Sequence, residues 1–142
     1  MSEITGSRVK VGDELPSLSR AVSQDLMNDY TFTLGIGNPI HHDAEFAARS
    51  EFGGPIASGP IALALLDDAL TSAYPAEWPR SGSIDAAFLR PVRPGDTVVT
   101  QIKVSGVEEE AVGRLLILEA TCLNQDGYPV VAGTARLQLP TA

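Results

Sequence analysis

The distribution of apolar positions divides the chain into a first half with helical spacing and a second half with strand spacing. In the first half, apolar side chains recur at helical intervals from Leu26 to Tyr30, and Ser23 precedes them as a candidate N-cap. Asp43 stands in the same position before a shorter helix that holds Phe46. The pattern therefore predicts two capped helices with a turn between them.

A third helix is predicted from the longest apolar stretch of the chain, SGPIALALLDDAL. It begins at Gly59 and Pro60, where a proline costs no helical hydrogen bond. Every residue from Ile61 to Leu66 is apolar, which indicates burial on all sides. Pro75 and Pro79 mark its end. Such a helix needs other structure packed around it.

Apolar and polar residues alternate in five segments of the chain, which predicts strands that can pack around this helix. One short strand is predicted near Leu18 to Val22, and four more follow the helices, in SIDAAFLR, DTVVTQIKVSGV, GRLLILEATCLNQ and YPVVAGTARLQL. The turn signals RPGD, VEEEAVG and NQDG between the four strands predict an antiparallel meander. The order of elements indicates an α+β domain of the hot-dog type, with about five antiparallel strands wrapped around a central buried helix.

Length and composition are those of an ordinary globular protein. The chain has 142 residues, 44% of them hydrophobic and 20% charged, so we expect one domain over residues 1–142. The single cysteine, Cys122, excludes an intrachain disulfide. No secretory signal is recognisable at the N-terminus, and we expect a cytoplasmic protein. We expect no metal and no cofactor.

The charge of the chain excludes one class of partner. A net charge of −8, with ten scattered basic residues, argues against nucleic-acid binding, which needs clustered lysine and arginine. No apolar run reaches the roughly 20 residues that cross a bilayer, so no membrane partner is expected. Basic residues gather only in FLRPVRPGD, where Arg90 and Arg93 could bind an anionic ligand.

One stretch also carries a resemblance. YTFTLGIGNPIHHDAEFAARSEFGGPIASG is similar to the hydratase signature of MaoC-like proteins, the (R)-specific enoyl-CoA hydratases and dehydratases of hot-dog fold. FLRPVRPGDTV resembles the family's strand-turn-strand segment. The similarity extends from Val9 to Leu139. It implies the same fold, and a homodimer, because hot-dog sites lie near subunit contacts.

The resemblance implies a catalytic role for His41. In this family an aspartate and a histidine hold a water between them and add it across an enoyl thioester, or remove it in reverse. His41 matches the histidine, but Ile36 stands at the aspartate position and can neither accept nor donate a proton. A second departure is Ser58, where the family usually has histidine. Gly59, at the helix start, can direct its N–H toward a thioester carbonyl.

The candidate site residues come from this resemblance and from the local positive charge at Arg90 and Arg93. His41 and Gly59 are the predicted catalytic groups. The predicted substrate-binding residues are Ser58, Asn38, Ile36, Arg90 and Arg93. If the ligand carries coenzyme A, its phosphates need cationic partners, and Arg90, Arg93 or Lys103 could supply them.

Three functions remain open at this point. The first is a lyase-type enzyme with one histidine base and a carbonyl-polarising site, such as an isomerase or cyclase of a polyketide-like intermediate, whose substrate supplies its own nucleophile. The second is an (R)-specific enoyl-CoA hydratase or dehydratase with a substitute acid. The third is a non-catalytic hot-dog subunit that pairs with an active homologue.

Overall fold

A computed structural model describes residues 9–141. The chain forms, in order, β1 (Ser19–Ala21), α1 (Gln24–Thr33), a 3₁₀ turn (Pro39–His41), α2 (Ala44–Ala48), α3 (Gly59–Ala73), α4 (Glu77–Ser81), β2 (Ser83–Phe88), β3 (Thr97–Glu109), β4 (Arg114–Leu123) and β5 (Pro129–Leu139). One strand precedes the helices and four follow them, as the sequence predicts. No helix in the described range is both long and apolar enough to cross a bilayer.

Both predicted caps are confirmed at the starts of α1 and α2. The hydroxyl of Ser23 accepts a hydrogen bond from the Leu26 N–H at 3.0 Å. The carboxylate of Asp43 accepts one from the Phe46 N–H, also at 3.0 Å. These bonds satisfy N–H groups that have no partner inside the helix, so both helices begin where the sequence places them.

The central helix α3 begins at Gly59 as predicted, but it is not buried on every side. Ile61, Leu66 and Leu70 are at most 1% exposed, whereas Leu63 and Ala64 are only half-buried. The sheet and the surrounding loops cover only part of the helix surface. The prediction of complete burial from Ile61 to Leu66 was therefore wrong for one face of the helix.

The sheet has five antiparallel strands in the order β1-β3-β4-β5-β2. Strands β3, β4 and β5 form the predicted meander. Strand β2 was expected beside β3, but it pairs with β5 at the opposite edge. Pro91 and Pro94 lack the N–H that a hairpin ladder requires, and the Ala57 N–H binds the Val92 carbonyl at 2.7 Å. Residues 89–96 therefore cross the start of α3 instead of folding back.

The core lies between α3 and the inner face of the sheet. Four alternating residues of β4 are fully buried there: Leu116, Leu118, Ala120 and Cys122. Strand β2 differs, since all of its residues except the half-buried Ile84 are exposed. The sheet therefore covers the helix mainly through β3, β4 and β5, and β2 is a free edge.

Candidate active site

A cavity of about 510 Å³ lies at the start of α3. Its walls come from the 3₁₀ turn, the segment before α3, the crossing segment after β2, and the start of β5. The polar groups on these walls belong to His41, Ser58, Gly59 and Arg90, and most of the remaining lining is apolar. The cavity is thus an apolar pocket with a few polar groups, as is common for small-molecule sites.

The 3₁₀ turn holds His41 in place through its neighbours. The side chain of Asn38 accepts a hydrogen bond from the Ile40 N–H at 3.0 Å and so caps the turn, a common role of asparagine. Ile40 is buried and anchors the turn to the body of the protein. The Gln24 side chain donates to the His41 carbonyl at 2.9 Å. The backbone of His41 is therefore fixed from both sides.

The imidazole of His41 has a defined orientation. Its Nδ1 lies 2.7 Å from the carbonyl oxygen of Ile56. A carbonyl oxygen can only accept, so Nδ1 carries the proton in this bond. In the neutral ring, Nε2 is then unprotonated and can take a proton from a ligand. This is the tautomer that a general base requires.

The segment from Ile56 to Gly59 forms the wall beside His41. Ser58 is 5% exposed, and its hydroxyl has no hydrogen-bond partner in the described chain. The Gly59 N–H also lacks an acceptor among the residues described. A side chain at Gly59 would approach the Phe88 ring to 2.7 Å. Glycine therefore allows Phe88 to close one side of the cavity.

The two predicted arginines lie in different environments. Arg90 lines the cavity and stacks on the Tyr128 ring, with its guanidinium carbon 4.5 Å from the ring centre. Arg93 is exposed, is absent from the lining, and donates to the Phe52 carbonyl at 2.7 Å. Arg90 is thus placed to contact a ligand in the cavity. Arg93 instead binds the backbone of the loop that precedes α3, at Phe52.

The cavity brings together four of the seven predicted site residues, namely His41, Gly59, Ser58 and Arg90. The lining does not include Ile36, Asn38 or Arg93. Ile36 is half-buried, and its N–H binds the Thr31 carbonyl at 2.9 Å after the end of α1. The roles in ligand binding expected for these three residues stay predictions.

No aspartate or glutamate is among the described residues that line the cavity. Asp43 is close to His41 in sequence, but its carboxylate caps α2. His42 is also outside the lining, and its ring packs against Phe32 with 5.3 Å between ring centres. Among the described residues on the cavity walls, His41 is accordingly the one whose side chain has a free ring nitrogen that can accept a proton.

Several residues of the site carried no readable signal in the sequence. The Gln24 side chain binds the His41 carbonyl although the two residues are 17 positions apart in the sequence. The Ile56 carbonyl, 15 positions from His41, orients the imidazole. Tyr128 meets Arg90 from the turn between β4 and β5. Phe88 was predicted only as part of a strand, and the structure shows that it lines the cavity while 59% exposed.

A second cavity, of about 580 Å³, lies along α3 between Pro60 and Leu70, and Phe88 also lines it. Pro60 and Phe88 line both cavities. The remaining lining residues of the second cavity are Leu63, Ala64, Asp67, Leu70, Trp78 and Ile84. The indole N–H of Trp78 donates to the Asp67 carboxylate at 2.7 Å, so the two polar side chains of this cavity bind each other.

Comparison with known proteins agrees with this architecture. The sequence profile of the MaoC like domain matches residues 9–116 of this chain. The chain belongs to the MaoC-like family. The family and the hot-dog fold expected from the sequence are thereby confirmed, with hydratases and dehydratases among the relatives.

Two relatives have similar sequences. The (R)-specific enoyl-CoA hydratase of Aeromonas caviae is 31% identical over 107 residues, which cover 72% of this chain and 75% of the relative. The 3-hydroxybutyryl-CoA dehydratase of Methylorubrum extorquens is 31% identical over 123 residues, or 87% of this chain and 76% of the relative. One of these relatives is thus named for the addition of water and the other for its removal.

A solved structure supports the fold. The MaoC-like dehydratase of Rhodospirillum rubrum superposes with a TM-score of 0.86 and 22% identity, over 98% of each chain. At this identity the likeness concerns the fold and not the chemistry.

Proposed function

We propose that this MaoC-like protein is a lyase-type enzyme that acts on an enoyl or enone thioester with one histidine base. His41 takes a proton from the substrate carbon or returns it, and the Gly59 N–H polarises the substrate carbonyl. The observation that carries the proposal is the composition of the cavity, where a correctly oriented histidine has no carboxylate partner among the described lining residues.

The missing carboxylate favours a reaction that needs no held water. Addition of water requires a base that activates the water and an acid that protonates the neighbouring carbon. In an isomerisation or a cyclisation the substrate itself provides the attacking atom or the moving proton, and one base can serve both steps. A polyketide-like intermediate with an internal nucleophile is a substrate of this type.

The carrier of the substrate is proposed on the basis of Arg90. Its guanidinium stacks on Tyr128 beside the cavity, where it can meet a phosphate of coenzyme A or of an acyl carrier protein. If the carrier has phosphates, Arg90→Ala should weaken binding of a coenzyme A thioester, most strongly at low salt. Arg80→Ala, an exposed arginine on α4 outside the cavity lining, is the matched control. Equal affinity in both variants would show that Arg90 does not bind the phosphates of this thioester.

Hydration or dehydration of an acyl thioester is the second candidate, and the two relatives named above support it. This reaction requires an acid from elsewhere, because Ile36 stands where the family has its aspartate. A water hydrogen-bonded to Ser58 is one such source, since this hydroxyl has no partner among the described residues.

The absorbance of crotonyl-CoA during hydration separates these candidates. For the one-base enzyme we expect slow or no hydration by the unmodified protein, since loss of general acid–base participation costs about 10²–10⁴-fold in rate. Efficient hydration that disappears in His41→Ala would establish the second candidate. Efficient hydration that persists in His41→Ala would reject this cavity as the active site.

A non-catalytic subunit is the remaining alternative, and a proton-exchange experiment addresses it. A 3-butenoyl pantetheine thioester in D₂O should gain deuterium beside its carbonyl, because His41 returns a solvent-derived proton after abstraction. No exchange with this thioester or with an enone thioester would favour a binding subunit.

We also propose that the protein forms a homodimer through β2. This strand is a free edge of the sheet, its exposed residues include Phe88, and only one charged residue, Asp85, interrupts it. Unpaired edges of this kind pair readily with another strand. Pairing of two β2 edges would extend the sheet across two subunits, and sedimentation velocity should then give a dimer. A monomer at micromolar concentration would reject this assembly.

A further inference from the structure

Ser58 occupies the N-cap of α3 but does not cap it. At the starts of α1 and α2, the Ser23 hydroxyl and the Asp43 carboxylate each accept a hydrogen bond from a backbone N–H of the following helix. Ser58 makes no such bond, is 5% exposed, and its hydroxyl has no partner in the described part of the chain. A buried hydroxyl without a partner is unfavourable unless a ligand or water completes it.

The neighbours of Ser58 limit which donors can face the cavity. The Ala57 N–H is occupied by the Val92 carbonyl at 2.7 Å. Pro60 has no N–H. The Gly59 N–H has no acceptor within the described range, and both Gly59 and Ser58 line the cavity beside His41. Two adjacent donors therefore remain, one from the backbone and one from a side chain.

A nucleophilic role for Ser58 is disfavoured by its surroundings. A catalytic serine needs a base in hydrogen-bond contact to remove its proton. His41 lines the same cavity, yet the Ser58 hydroxyl has no hydrogen-bond partner in the described chain, His41 included. The positive end of the α3 dipole instead favours negative charge on an acceptor placed at this helix start.

We infer that the Ser58 hydroxyl and the Gly59 N–H donate together to the carbonyl oxygen of the substrate. When His41 Nε2 takes a proton from the carbon beside the carbonyl, the C–H electron pair forms a C=C bond. The carbonyl π pair then moves to oxygen, where the two donors stabilise the negative charge. In a 3-enoyl thioester, the oxygen pair then re-forms the C=O bond and the new C=C pair shifts to the bond between the second and third carbons. The pair of the original double bond takes the proton back from His41 at the fourth carbon, which completes the isomerisation. Ser58 would thus be a catalytic residue, and the inference rests on the proposed function.

A chromophoric thioester can measure this polarisation without turnover. When cinnamoyl pantetheine binds, hydrogen bonds to its carbonyl should move its absorption to longer wavelength. We expect the wild-type complex to show this shift, Ser58→Ala to bind but lose most of it, and Ser58→Thr to restore it. Ser58→Gly removes the same hydroxyl and serves if Ser58→Ala does not fold.

Ser23→Ala is the matched control, because Ser23 is a hydroxyl cap that lies outside the cavity lining. It should lower Tm and leave the absorption shift unchanged, whereas Ser58→Ala should remove most of the shift without lowering Tm.

Each other outcome has a definite meaning. An undiminished shift in Ser58→Ala would overturn the inference and leave the proposed function intact. A cinnamoyl adduct on Ser58, seen by mass spectrometry, would overturn it in favour of a nucleophile. If the wild-type protein binds no thioester at all, the proposed function itself is wrong, and the donor pair has no substrate carbonyl to bind.

Discussion

The two cavities beside α3 have similar volumes, about 510 and about 580 Å³, but they differ in the hydrogen bonding of their polar groups. In the first cavity, the Ser58 hydroxyl and the Gly59 N–H have no partner among the described residues, and His41 has one ring nitrogen bound. In the second cavity, Trp78 and Asp67 bind each other at 2.7 Å. Unpaired polar groups, and not volume, therefore mark the first cavity as the candidate active site.

Phe88 separates the two cavities and lines both. On one side its ring closes over Gly59, and on the other it belongs to the exposed edge strand β2. The proposed dimer would therefore assemble directly beside the wall of the proposed active site. Changes in each cavity should have separable effects, one on chemistry and the other on assembly and stability.

The largest expected effect is that of His41→Ala on proton exchange. Deuterium incorporation from D₂O into 3-butenoyl pantetheine, followed by NMR, should slow by about 10²–10⁴-fold, because the variant lacks the one side chain among the described lining residues that can act as a base. His42→Ala is the control, since His42 packs on Phe32 outside the cavity. Equal losses in both variants would mean that the turn, and not the His41 imidazole, matters.

A matched pair of alanine-to-leucine changes should separate the cavities by binding. Ala57→Leu fills the first cavity and should weaken cinnamoyl pantetheine binding by about tenfold or more, equivalent to about 1.4 kcal/mol. Ala64→Leu fills the second cavity, and should leave this affinity unchanged while it alters the dimer dissociation constant. Isothermal titration calorimetry and sedimentation measure the two quantities. Weaker ligand binding in Ala64→Leu alone would reverse the assignment of the cavities.

The paired groups of the second cavity should matter for stability alone. Trp78→Phe removes the hydrogen bond to Asp67 and part of a buried ring, and should lower the free energy of unfolding by about 1–3 kcal/mol. Asp67→Asn keeps an oxygen acceptor and should cost less. Urea denaturation gives both values. A loss of thioester binding in Trp78→Phe would show that the two cavities are coupled.

The smallest effect is expected from Tyr74→Phe. The Tyr74 hydroxyl is buried without a partner in residues 9–141, and burial, with Asp13 and Glu77 nearby, raises the pKa of Tyr74 from 10.0 to about 12. Between these values the unfolded chain releases a proton that the folded protein keeps, so folding stability falls as pH rises. Tyr74→Phe should reduce this fall between pH 10 and 12 and leave Tm at pH 7 unchanged or slightly higher. An identical alkaline profile in both proteins would contradict the shift.

Local patterns predicted the elements because each depends on a few neighbouring residues. Ser23 and Asp43 cap the helices that follow them, and alternation in β4 gives a fully buried face from Leu116 to Cys122. The fold class followed from the order of these elements. The position of β2 did not, because strand pairing depends on which edge of the sheet is free after residues 89–96 cross α3.

The sequence by itself determined the family, the fold and the two departures, Ile36 and Ser58, since all of these can be read from residue identity at motif positions. Only the tertiary structure decided that His41 is oriented by the Ile56 carbonyl, that Ser58 does not cap its helix, and that Arg90 but not Arg93 lines the cavity. These contacts join segments that are far apart in the chain. The number of residues between two segments does not determine the distance between them in the folded protein. Hydrogen bonding and burial are properties of that spatial arrangement, and the state of each polar group in the cavity therefore appears only once the chain has folded.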